Sequence, residues 1–318
     1  MKILIAESRG FSPAALEELR RVADIAEADL DRGGLLAAVA DADVLWVRLR
    51  HRINAEVFDA AKRLKVLVSP TTGLNHIDLA EAARREVQVV SLKGELDFLK
   101  DVRATAELTV GLLLALLRQI PAAAADVQRG HWNRDAFQGR ELYGKTAGIV
   151  GYGRLGQIVA RYLQAFDMRV LVSDPDLDPE ELRAGLTKVP LAKLLSEADV
   201  VTLHVNLCDD TYGFFGREQF QSMRPGSWFV NTSRGELVDE ESLLDALRSE
   251  RLAGAALDVL RDENAAGMAG LPLVEYAKTN PRLILTPHIG GCTRESMEKT
   301  ERFLARRLVA MLTAGAVI

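Results

Sequence analysis

The stretch Ala147-Gly148-Ile149-Val150-Gly151-Tyr152-Gly153-Arg154-Leu155-Gly156 sets the architecture. A short apolar run enters a GxGxxG turn, and residues 157–166 continue with helical spacing. A glycine pattern alone is weak, and the alternative is a turn that binds nothing. Strand, turn and helix in this order are the context in which backbone amides meet a pyrophosphate. Gly151 permits the tight turn, Gly153 lets the backbone approach the phosphates, and Gly156 lets helix and strand pack closely. The N-terminus of the helix adds its partial positive charge. The next apolar run ends at Asp174, and 174 − 156 = 18, near the roughly 20 residues expected before an acid on the ribose. A carboxylate there accepts both ribose hydroxyls and repels a 2′-phosphate, which predicts NAD rather than NADP.

On either side of this turn the same alternation recurs. Apolar runs at residues 3–5, 44–47, 66–68 and 87–90 read as strands, followed later by 170–173, 200–204, 228–231, 254–258 and 283–285. Helical patterns fill the gaps, which is the order of α/β folds with parallel sheets. The chain reads as two Rossmann-like α/β domains. A smaller, discontinuous, flavodoxin-like domain takes residues 1–97 and 292–318, and a contiguous dinucleotide-binding domain takes 98–291. Residues 104–120 form an apolar helix with two greasy faces, ending before Pro121. Such a helix needs cover from a domain or a subunit, so a homodimer through this region is expected.

Composition narrows the function classes. Across 318 residues, 40 Lys+Arg stand against 45 Asp+Glu, a net charge of −5. That balance favours neither nucleic acid nor an anionic membrane surface as partner. The first apolar run reaches Glu7 after four apolar residues, too short for a secretory signal core of about 7–15. The longest apolar stretch, residues 108–117, falls short of the roughly 18 or more that read as a membrane span. Two cysteines, Cys208 and Cys292, are too few for a disulfide framework. A cytoplasmic protein is expected, with no structural or catalytic metal.

Three later segments bring side chains with chemistry to strand ends. Residues 230–239 run from a buried strand into Arg234, residues 255–263 carry Asp258 and Glu263, and residues 285–291 place His288 after another strand. Carboxyl ends of strands are where open α/β sheets hold ligands. An Arg, a carboxylate and a His at such ends can bind a carboxylate substrate and move a proton.

Gly151–Gly156, Asp174, the segment around Arg234, Glu263, and Pro287-His288-Ile289-Gly290-Gly291 together resemble the D-isomer-specific 2-hydroxyacid dehydrogenases. Thr72-Gly73-Leu74-Asn75-His76-Ile77-Asp78 resembles that family's substrate-domain loop, and the likeness spans roughly residues 42–308. The resemblance implies NAD-dependent hydride transfer between a D-2-hydroxy acid and nicotinamide. It implies Arg234, Glu263 and His288 as the catalytic set. For the cofactor it adds Thr72, Arg154, Leu155, Val205, Thr232, Ser233, Asp258 and the backbone at Gly290, and it gives the substrate carboxylate to the amides of Thr72, Gly73 and Leu74.

Residues 47–52 are the clue to the substrate. Arg48, Arg50 and Arg52 alternate after an apolar run, so a strand would project them to one side as a pocket for a second anion. The pattern resembles that of 3-phosphoglycerate dehydrogenases. So does Gly130-His131-Trp132-Asn133-Arg134, where Arg134 would reach the neighbouring subunit's substrate. The expected substrate pair is 3-phosphoglycerate and 3-phosphohydroxypyruvate, with Arg48 and Arg50 on the phosphate. One alternative is an unphosphorylated 2-oxo acid such as glyoxylate or hydroxypyruvate. A non-enzymatic, NAD-sensing corepressor of the same fold is a further one. Residues 92–103 are longer and more charged than the family's usual stretch, and Asn206 and Asn264 stand where prolines are usual. The chain ends at Ile318, shortly after its last helix, so feedback by serine through a C-terminal domain is not expected.

Overall fold

Short apolar runs buried on both faces build the first sheet. The computed structural model describes residues 1–261, 263 and 268–315. These divide into two compact units, residues 1–102 with the C-terminal segment from Cys292, and residues 103–291. In the first unit β1 (Lys2–Ile5), β2 (Asp24–Glu27), β3 (Val44–Trp46), β4 (Val66–Ser69) and β5 (Gln88–Ser91) lie in the order β2-β1-β3-β4-β5. All pairs are parallel, with Ile3 opposite Val44 and Val66 opposite Gln88. Alternate side chains go to opposite faces. Ile3, Ile5, Val44, Trp46, Val66 and Val68 meet the helices Pro13–Arg20 and Arg294–Thr313, while Leu4, Leu45 and Leu67 meet Leu35, Val57 and Phe58. Both faces are thereby covered, as parallel sheets require.

The boundary expected at 97/98 cuts a real element, the short helix Leu96–Leu99. Leu99 is buried in the first unit's core, and Phe98 stacks on Phe303 with ring centroids 4.0 Å apart. Those contacts carry the first unit on to Val102.

In the second unit the strands are β6 (Thr146–Val150), β7 (Arg169–Ser173), β8 (Leu186–Lys188), β9 (Val200–Leu203), β10 (Ser227–Asn231), β11 (Leu252–Leu257) and β12 (Leu283–Leu285). They are parallel, in the order β12-β11-β10-β9-β6-β7-β8. The order reverses between β6 and β9, so their carboxyl ends frame the crevice where such sheets bind dinucleotides. The apolar helix occupies Ala104–Leu117 rather than 104–120. Gln119 adopts the left-handed conformation (φ 52°), and a new helix, Ile120–Gln128, carries Pro121 in its first turn, where the missing N–H costs nothing. Leu112, Leu113, Leu116 and Leu117 are buried in the core of this unit. Among the described residues no single helix is long and apolar enough to cross a membrane. The edge strands β2 and β8 escape a reading by sequence because their short DIAE and LTK segments mix charge with few apolar residues.

Candidate active site

Close backbone packing places the dinucleotide turn. Gly151 follows β6 with φ 89°, and a Cβ on Gly156 would stand 2.2 Å from the Gly151 carbonyl oxygen. At Gly153, the N-cap of the helix Arg154–Gln164, a Cβ would meet nothing within 4 Å. The turn is closed where helix meets strand and open where the helix N-terminus would meet phosphate. Asp174 sits just past β7, where its Oδ2 accepts from Tyr152 N (2.7 Å) and its Oδ1 from Asp176 N (3.0 Å). That ties the carboxylate to the glycine turn. Arg154 and Leu155 are half-buried on the first helical turn, and burial lowers the Arg154 pKa. Next to Val205, His204 is buried with Nε2 3.1 Å from Thr202 Oγ1. Burial pushes its pKa down to about 3, so the ring is neutral. These residues fit a dinucleotide, with glycine backbone for the pyrophosphate and a carboxylate for the ribose.

Strand β10 delivers the next group. Thr232 Oγ1 lies 2.7 Å from Thr109 Oγ1, and Ser233 Oγ donates to the Leu203 carbonyl at 2.8 Å. Asn231 braces the turn, accepting from Ser233 N and donating to the Arg234 carbonyl at 2.8 Å. A Cβ on Gly235 would fall 2.0 Å from the Leu260 carbonyl carbon, so only glycine lets these two strand ends touch. Arg234 Nη1 donates to the Ser233 carbonyl. Burial lowers the Arg234 pKa, and the charges of Glu263 and Glu236 oppose that shift. The guanidinium is held desolvated near carboxylates, which suits an anion site.

The third group gathers at the ends of β11 and β12. His288 Nδ1 and Glu263 Oε1 are 2.5 Å apart, with side chains about one-fifth exposed. His288 Nε2 has no partner among the described residues. The backbone of His288 is left-handed (φ 53°), and its N–H donates to the carbonyls of Asp258 (2.8 Å) and Thr286 (3.0 Å). Asp258 brackets this turn. Its Oδ1 accepts from Thr286 Oγ1 (2.5 Å) and Ile289 N (2.9 Å), and its Oδ2 from Gly290 N (2.7 Å). Burial raises the Asp258 pKa, and these hydrogen bonds oppose the rise.

Glu263 and His288 thus meet directly, while Arg234 lies within electrostatic reach of Glu263. Arg134 does not join them; it is exposed on the turn Arg134–Phe137. Asn264 lies outside the described residues. The braces Asn231, Thr286 and Thr109 were not singled out from sequence. Only Asn231 left a signal there, as a polar residue closing a buried strand.

In the first unit, Thr72, Gly73 and Leu74 follow β4. Ser69 Oγ lies 3.0 Å from Thr71 Oγ1 and 3.1 Å from the buried His76 Nε2, and Thr71 Oγ1 donates to the Gly73 carbonyl at 2.8 Å. The arginines differ from expectation. Strand β3 stops at Trp46, and the following bend wraps around Glu7, whose carboxylate accepts from Arg48 N (2.9 Å) and Arg50 N (3.3 Å). The side chains do not project together. Arg48 pairs with Glu301, while Arg50 pairs with Asp29 (2.7 Å) and donates to the Leu30 carbonyl (3.3 Å).

Residues 110–290 match the family model described as D-isomer specific 2-hydroxyacid dehydrogenase, NAD binding domain. The chain is 36% identical over 289 residues to a D-3-phosphoglycerate dehydrogenase of Mycobacterium tuberculosis, covering 91% of this chain and 52% of that one. It is 37% identical over 292 residues to a glyoxylate reductase of Thermococcus onnurineus, covering 89% and 84%. The chain spans about half the length of the phosphoglycerate dehydrogenases it matches. Among solved structures, the TT0316 protein from Thermus thermophilus superposes with a TM-score of 0.84 at 36% identity, over 99% of this chain and 97% of that one. A D-lactate dehydrogenase from Aquifex aeolicus, solved with NAD and lactic acid, gives 0.84 at 25% identity over 99% and 96%.

Proposed function

The chain belongs to the D-isomer-specific 2-hydroxyacid dehydrogenase family, and on that premise we propose that it is an NAD-dependent oxidoreductase acting between a D-2-hydroxy acid and its 2-oxo acid. The observation that carries the reading is His288 with Nδ1 on Glu263 and Nε2 unpartnered among the described residues. NAD held by the cofactor-binding residues would supply the acceptor for the hydride on C2 of the substrate. His288 takes the hydroxyl proton at Nε2, the role of a general base within hydrogen-bond reach of the substrate hydroxyl. Glu263 fixes the ring through Nδ1 and stabilises the positive charge the ring gains. Arg234 binds the substrate carboxylate and polarises the oxygen on C2. In the reverse direction, protonated His288 gives its Nε2 proton to the oxo oxygen.

In this reading the cofactor-binding residues are Thr72, Gly151, Gly153, Arg154, Leu155, Gly156, Asp174, Val205, Thr232, Ser233, Asp258 and Gly290. The amides of Thr72, Gly73 and Leu74 hold the carboxylate. The chain forms a homodimer, supported by exposed Ile120, Val127, Trp132 and Tyr143, with Arg134 beside them. The exposed free thiols Cys208 and Cys292 suit a reducing, cytoplasmic setting. A phosphorylated substrate draws support from relatives named phosphoglycerate dehydrogenase. An unphosphorylated one draws support from the carboxylates on Arg48 and Arg50.

The test is NADH oxidation with a panel of 2-oxo acids, with and without a phosphate group, in wild type and His288→Ala. Turnover that falls by on the order of 10²–10⁴ in kcat in the variant is expected. Turnover within a few-fold of wild type would remove His288 from the mechanism. Silence across the panel with NADH still bound would replace the enzyme by a sensor.

A further inference from the structure

A buried carboxylate that the proposed mechanism does not use sits at the carboxyl end of β3. Glu301, on the helix Arg294–Thr313, is 1% exposed. Its Oε1 accepts from Arg48 Nε (2.9 Å) and Nη2 (2.5 Å), and its Oε2 from Ser12 N (2.7 Å). Arg48 Nη1 donates to the Arg9 carbonyl (2.8 Å), and the guanidinium lies 5.9 Å from the Phe11 ring centroid. Burial pushes the Glu301 carboxyl up, and Arg48 pulls it back down. The Arg48 side chain is 18% exposed, so the cation reaches the surface of its unit while its counter-ion stays inside.

The place matters because of the sheet. In the order β2-β1-β3-β4-β5 the direction of winding reverses between β1 and β3. The carboxyl ends of those two strands flank the switch point, where open α/β sheets present ligand-binding groups. Glu7 follows β1 and Arg48 follows β3. An unpaired arginine here would offer its fork to a dianion. Glu301 fills that fork, and a phosphate could recruit Arg48 only by leaving Glu301 buried without a counter-charge, which is strongly unfavourable.

We propose that Glu301 is a specificity-determining residue that holds Arg48 closed and so directs the chain to 2-oxo acids without a second anionic group. The proposal rests on the oxidoreductase reading above. Overall similarity does not decide between the two substrate classes, since relatives named for each are matched at 36% and 37% identity. The pairing at Arg48 is local and does decide.

The experiment uses the whole chain as wild type, Glu301→Gln, Glu301→Ala, and Glu301→Gln combined with Arg48→Met. Rates with NADH are compared for glyoxylate, hydroxypyruvate and 3-phosphohydroxypyruvate, and 3-phosphoglycerate is titrated calorimetrically at saturating NAD. Wild type is expected to favour the unphosphorylated acids. Glu301→Gln keeps an oxygen for Ser12 N and removes the charge. It should raise the phosphorylated-to-unphosphorylated ratio of kcat/KM by on the order of tenfold or more, mainly through KM, and tighten 3-phosphoglycerate binding by a similar factor. Adding Arg48→Met should cancel the gain. An unchanged ratio in folded Glu301→Gln and Glu301→Ala, or a wild type that already prefers the phosphorylated acid, would overturn the proposal. If no acid is turned over, the oxidoreductase reading fails and calorimetry decides alone. Tighter binding by Glu301→Gln then supports the role of Glu301, and equal binding ends it.

Discussion

His288 combines a left-handed backbone with a side chain held by one carboxylate. A non-glycine residue in that region costs on the order of 1–3 kcal/mol and persists only where its surroundings over-determine it. Asp258 supplies that determination, taking the His288 N–H on its carbonyl and the flanking Thr286, Ile289 and Gly290 on its carboxylate. The strain therefore falls on the residue to which the proposed mechanism gives the proton. His204 bears on stability instead. Burial holds its folded pKa at about 3, below the ordinary 6.5, so the unfolded chain binds the proton more readily as pH falls. The stability it contributes is present above pH 6.5 and is lost on acidification, by about 1.4 kcal/mol per pH unit. Urea unfolding at pH 7 and pH 5 should show a drop about 2 kcal/mol smaller in His204→Asn than in wild type. Equal drops would mean that His204 titrates normally in the fold.

Among the elements, the candidate site residues collect where strands end. Gly151 ends β6, Asp174 ends β7, Arg234 lies past β10, and Asp258 and His288 lie past β11 and β12. Parallel strands point the same way, so one edge of the sheet receives all of these groups. Asp174 is the clearest test of this arrangement, since its carboxylate is tied to the glycine turn through Tyr152 N. Asp174→Asn keeps an acceptor for that bond and removes the charge that would repel a 2′-phosphate. The preference for NADH over NADPH, measured as a ratio of kcat/KM, should fall by on the order of tenfold, equivalent to about 1.4 kcal/mol. A wild type that already prefers NADPH would sink the ribose assignment. These elements were legible because buried parallel strands are unbroken apolar runs. Strands β2 and β8 were not, because their short DIAE and LTK segments mix charge with few apolar residues.

Each of the two units closes its own parallel sheet between helical layers, and each has its own core. The helix Ala104–Leu117, read from sequence as needing outside cover, buries Leu112, Leu113, Leu116 and Leu117 within the second unit. The apolar surface left over lies further on, at Ile120, Val127, Trp132 and Tyr143. Trp132 is 87% exposed, an unusual state for so large an apolar side chain. Sedimentation velocity at micromolar concentration should give twice the 34.9 kDa chain mass, and Trp132→Glu should shift the population toward monomer. A wild type that sediments as a monomer at those concentrations would remove the dimer.

Local spacing was enough to specify the parallel α/β architecture and the glycine turn with its acid, while Arg234, Glu263 and His288 came as a set from the family resemblance. Spacing carries that information because it follows from the geometry of single strands and helices. The partners of the charged groups came only with the packed fold. Three arginines in one short segment look alike in sequence, yet Arg48 meets a carboxylate 253 positions away while Arg50 meets Asp29. A charge's partner depends on which elements pack side by side and on how much water they exclude. Neither is encoded in the residues next to it.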